Sequence, residues 1–184
     1  MDPLNPRAQQ DAFGQKINRD HHPVLAQLVP WATIMLASIA PLSPVIAPAP
    51  VLPPLAFLML VAWRQLRPEV LPLWAGFPLG LFDDLYSGQP LGSGIFLFSV
   101  AMIVLNLIEA RFPWRNFWQN WMAASVLISG YLAIAGLVSG AELTFVQLRL
   151  LVPQVLLSVL LFPIVASLAA LLDRMRLLRI RRIN

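Results

Sequence analysis

Residues 24–63 read VLAQLVPWATIMLASIAPLSPVIAPAPVLPPLAFLMLVAW, a stretch without one charged side chain. As a single helix it would reach roughly 60 Å at 1.5 Å per residue, about twice the hydrocarbon thickness of a bilayer. The run must turn back on itself. Pro41, Pro44, Pro48, Pro50, Pro53 and Pro54 mark the turn, because proline removes an amide donor and restricts the residue before it. Two spans result, about Val24 to Ala40 and about Pro54 to Trp63. The second is short for a crossing and predicts either an earlier start or a locally thinned bilayer.

The pattern repeats outward from this hairpin. Residues 70–82, 85–108 and 116–141 are also free of charge. They place further spans near Val70 to Phe82, Leu91 to Ile108, Trp118 to Val138 and Leu150 to Leu172. The expected fold is all-α, a polytopic six-helix transmembrane bundle over residues 24–172, with a polar cytoplasmic tail at 1–23 and a basic cytoplasmic tail at 173–184. Threaded this way, every one of the 13 lysines and arginines except Arg149 falls on one side, which the positive-inside rule makes the cytoplasm, with both termini there. Trp31, Trp63, Trp74, Trp114, Trp118 and Trp121 lie mostly near span boundaries, where indoles anchor helices.

Composition excludes several function classes. With 58% apolar and 12% charged residues the chain would expose too much apolar surface in water. Its pI of about 10.7 would suggest nucleic acid in a soluble protein, but these arginines flank spans, where they meet anionic lipid. No cysteine is present, so thiolate chemistry, disulfides and cysteine metal sites are excluded. No span contains histidine or lysine, so nucleophile and base pairs of the usual kinds cannot be assembled at membrane depth. These residues predict no enzyme, no metal and no cofactor.

The densest signal is GFPLGLFDDLYSGQPLG, residues 76–92. Gly76 and Gly80 are four apart on one helical face, where missing side chains permit close backbone approach. Two readings stand: packing on a neighbouring span of the same chain, or contact with another protein. Pro78 between them should kink the helix or break its hydrogen-bond ladder. Asp83 and Asp84 end the span, where the helix dipole disfavours carboxylates. Interfacial water, the amides of the turn from Ser87 to Gly94, or a functional role could compensate. A DDxxD magnesium motif is absent, since Ser87 stands three after Asp84. Asn106 and Glu109 read as an interfacial pair. In the tail, Arg174, Arg176, Arg179, Arg181 and Arg182 alternate with Leu and Ile at roughly helical spacing and suit an interfacial helix on anionic lipid.

The ordered set of features resembles the rod shape-determining MreD family. It comprises a proline-rich loop, a hairpin returning through Arg64 and Arg67, the ladder Gly76, Gly80, Asp84, Gly88 and Gly92, and Pro163 in the last span before a basic end. Two features depart from the family pattern: the long N-terminal tail and the doubled acid at Asp83 and Asp84. The resemblance implies a non-enzymatic inner-membrane component of the bacterial cell-elongation complex that helps direct side-wall peptidoglycan synthesis. Its implied partner is the transmembrane helix of MreC, with MreB, RodA and its transpeptidase as neighbours; a homodimer stays open. The family is similar in fold to the S components of energy-coupling-factor transporters, so a small-molecule binding subunit is the alternative. Gly76, Gly80, Asp83, Asp84, Gly88 and Gly92 are the expected partner-binding residues.

Overall fold

The computed structural model describes residues 23–40, 52–112, 116–140 and 145–176. The two tails, the proline-rich stretch at 41–51 and the basic turn at Arg115 lie outside the described residues, as do Arg179, Arg181 and Arg182 and the side chains of Arg149 and Arg176. The described chain is all-helical: α1 (Pro23–Ile39), α2 (Leu55–Leu66), a 3-10 turn (Leu73–Ala75), α3 (Gly76–Tyr86), α4 (Ser93–Arg111), α5 (Phe117–Val138) and α6 (Phe145–Arg176). In α4, α5 and α6, the stretches Ser93–Arg111, Phe117–Val138 and Leu151–Met175 are long and apolar enough to cross a membrane. α2 and α3, with 12 and 11 residues, reach only about 18 and 16 Å.

Uniform apolarity explains the place of α2. Every residue from Ala56 to Arg64 is buried, because the helix has no polar face to offer a surrounding medium. It packs against α1, α4, α5 and α6, while α3 lies between α1 and α4. Trp63 is fully buried and donates its indole N–H to the Thr33 hydroxyl at 3.0 Å, so it is a core residue and not the boundary anchor expected of it. Trp74 and Trp118, both 65% exposed, do lie on the surface.

Prolines inside helices are accommodated locally. Pro163 has no N–H for the Val159 carbonyl four residues earlier, and the Trp121 indole donates to that carbonyl instead, at 3.2 Å, tying α5 to α6. Pro78 falls in the first turn of α3, where amides have no intrahelical acceptor; the expected break is realised as a late helix start after the 3-10 turn, not as a kink. Ser125, Ser129 and Ser158 donate to carbonyls four residues back in their own helices, at 2.8, 2.8 and 2.6 Å, rather than across helices.

Most arginines of the described chain gather at one end of the bundle. Arg64 in the last turn of α2 is 7% exposed; its Nη2 donates to Asn106 Oδ1 at 3.0 Å and pairs with Glu109 at 3.2 Å. Arg67 pairs with Asp173 of α6 at 3.3 Å. α6 thus continues as regular helix to Arg176, past the expected tail boundary at 173, and Arg174 is exposed there. Asp83 and Asp84 lie at the opposite end.

Candidate functional site

α3 and α4 form a tight antiparallel hairpin, and glycine is the reason. A Cβ built on Gly76 would lie 2.9 Å from the Phe98 carbonyl oxygen and from the Ser99 Cα. One on Gly80 would overlap the carbonyl oxygen of Gly94 and stand 2.7 Å from the Ile95 Cα. Gly94 faces back: its Cβ would meet the Gly80 carbonyl at 2.8 Å and the Asp84 carboxylate at 2.7 Å. For Gly76 and Gly80 the neighbours are backbone atoms that cannot swing aside, so only glycine allows this approach. Packing within the chain is therefore what the Gly76 and Gly80 face does, and α4 leaves no room for a partner's helix on it.

Asp84 extends this contact by one turn. Its carboxylate accepts from the amides of Gly92 at 2.8 Å, Gly94 at 2.7 Å and Ile95 at 3.3 Å, and from the Ser93 hydroxyl at 3.2 Å. The first amides of a helix have no partner within it, and that end carries partial positive charge. A carboxylate delivered from α3 satisfies both needs of α4, whose own N-cap, Gly92, has no side chain to do so. Of the compensations open in the sequence, the amides of the turn are the ones realised for Asp84.

Gly88 and Gly92 serve differently from the first two glycines. α3 stops at Tyr86, so the four-residue ladder is not one continuous helical stripe. Gly88 at φ 69° and Gly92 at φ 100° adopt left-handed backbone in the turn, with open space where a Cβ would point. Conformation, not close packing, demands glycine there.

Asp83 points elsewhere. It is 6% exposed and lines a cavity of about 300 Å³ between the start of α2, the end of α3 and α5. The Ser38 hydroxyl of α1 hydrogen bonds to it, and Tyr131 of α5 lies within electrostatic range of both carboxylates. The adjacent acids are thereby separated by role: one caps a helix, the other faces a cavity.

The structure also assembles a cluster that sequence spacing did not join. Arg64, Asn106 and Glu109 meet across α2 and α4, and the Gln65 side chain donates to the Asn120 carbonyl of α5 at 3.1 Å. The three-residue spacing of Asn106 and Glu109 is a signal for the pair, but nothing local places Arg64 against it. Among the described residues no group of three or more His, Cys, Asp or Glu side chains could hold a metal ion.

No curated protein and no solved structure matches the chain. The family model for rod shape-determining protein MreD matches residues 24–172, from the first residues of α1 to near the end of α6. That family is one of shape-determining structural membrane proteins. With the match spanning nearly the whole helical region, the chain belongs to the MreD family of rod shape-determining proteins.

Proposed function

We propose that this protein is a non-enzymatic, multi-pass inner-membrane scaffold of the bacterial cell-elongation complex, binding MreC and helping to direct side-wall peptidoglycan synthesis. The observation that carries this reading is the family match over residues 24–172, which takes in every described helix. All six helices cross in this reading, the short α2 and α3 in a locally thinned bilayer, with the arginine end cytoplasmic.

The partner's helix would not reach Gly76 and Gly80, which α4 covers. It would dock on the other side of α3, where Phe77, Leu81 and Leu85 are exposed along one face at 58, 41 and 63%. The glycines act on this surface indirectly, by holding α3 flat on α4 so that the face is rigid. Leu81→Trp puts bulk on that face without touching the hairpin contact. Co-purification of MreC from native membranes should be lost in this variant while its thermal midpoint stays at the wild-type value. Retained co-purification would remove the outer face of α3 from the interface. The transporter-subunit alternative has the cavity beside Asp83 in its favour.

A further inference from the structure

We infer that the cavity at the carboxylate end binds a small organic cation, a primary ammonium or guanidinium group on a short apolar body. Three features of the cavity converge on that chemistry. Its volume, about 300 Å³, lies at the lower end of the range for small-molecule sites. Its wall is mostly apolar, with Leu55, Phe57, Tyr131 and Leu132 among its lining residues, which suits a short hydrocarbon body. Its acidic side chain is the buried carboxylate of Asp83. Two of its lining residues are joined, the Gln154 side-chain amide of α6 donating to the Leu52 carbonyl at 2.8 Å.

The carboxylate lacks a charge partner within the described chain. The two ion pairs among the described residues use Glu109 and Asp173, and Asp84 is committed to the amides of α4. Sequence closes off other sources, since no lysine or arginine stands between Arg19 and Arg64 or between Arg67 and Arg111. Arg149 is the cation nearest in sequence to the cavity-lining Gln154, five residues before it on α6. A buried carboxylate without a counter-charge among the described residues is costly, and an incoming cation relieves that cost. One carboxylate is too few ligands for a metal ion, whereas one carboxylate in a mostly apolar cavity suits an organic ammonium. This inference is independent of the scaffold reading, and its test omits MreC, so either can fail alone.

The test is calorimetric titration of the full chain, in nanodiscs of phosphatidylglycerol at pH 7.5, with benzylammonium and with its neutral analogue benzyl alcohol. Saturable binding of benzylammonium is expected, roughly tenfold or more tighter than the alcohol, and weakened by a similar factor in Asp83→Asn. No saturable binding, equal affinity for the alcohol, or undiminished affinity in Asp83→Asn would overturn the inference. Should Asp83→Asn not fold, the ammonium-against-alcohol comparison on wild type still decides. Arg149→Gln should bind as wild type does; binding by Arg149→Gln alone would make the chain's own arginine the occupant and overturn the proposal. Discs containing phosphatidylethanolamine identify the source: competition supports a lipid ammonium headgroup, and its absence supports a free amine.

Discussion

The two ends of the bundle handle charge by opposite means. At the arginine end, Arg64 meets Glu109 and Arg67 meets Asp173, side chain to side chain across helices. At the other end, Asp84 is neutralised by backbone amides of α4, and Asp83 has only a hydroxyl partner in the described chain. Side-chain pairs tolerate adjustment, since two flexible arms can find each other over a range of backbone positions. A backbone cap tolerates none, because three amides and one carboxylate must coincide. The carboxylate end should therefore be brittle and the arginine end forgiving.

Substitutions can break that contrast, and Gly80→Leu should do most. A side chain there enters the Gly94 backbone, so a cost above about 3 kcal/mol is expected, seen as loss of monodisperse protein on gel filtration. Asp84→Ala comes next. It leaves the first amides of α4 without acceptors in a buried place and should cost about 3 kcal/mol, lowering the thermal midpoint sharply. A wild-type midpoint in this variant would show that the cap contributes nothing.

At the arginine end the effects should be smaller. Two nitrogens of the Arg64 guanidinium, Nε and Nη1, are buried without a hydrogen-bond partner among the described residues, so the pair with Glu109 is incompletely compensated. Arg64→Met combined with Glu109→Gln keeps the bulk and removes both charges of the pair, and should change stability by about 1 kcal/mol or less in a denaturant titration. Arg67→Gln should cost up to about 1 kcal/mol, since Arg67 is 53% exposed and a glutamine amide can still donate to the buried Asp173 carboxylate. A collapse of the fold in Arg67→Gln would reverse the ranking of the two ends.

Helix positions were legible in the sequence because charge-free runs and proline clusters leave few alternatives. The expected spans at 24–40 and 118–138 match α1 and α5 within about a residue at each end. α3 begins six residues later than expected, since Pro72 and the 3-10 turn occupy what reads as more apolar span. The glycine ladder was legible as a motif but not as two devices, because four-residue spacing looks the same whether or not the helix has already ended. Its first half packs on α4 and its second half turns the chain. Burial of Trp63 and Arg64 was hidden for a different reason: residues ending an apolar run look interfacial unless the neighbours that cover them, here from distant parts of the chain, are known.

The proposed function requires the arginine end and the carboxylate end to lie on opposite sides of the membrane, and the absence of native cysteine makes this directly measurable. Single cysteines would replace Leu91, 75% exposed beside the capped turn, and Arg111, exposed at the end of α4, and intact cells would be treated with a membrane-impermeant maleimide. Labelling of Leu91→Cys in intact cells, with Arg111→Cys labelled only after permeabilisation, is the predicted result. Labelling of Arg111→Cys from outside intact cells would contradict it.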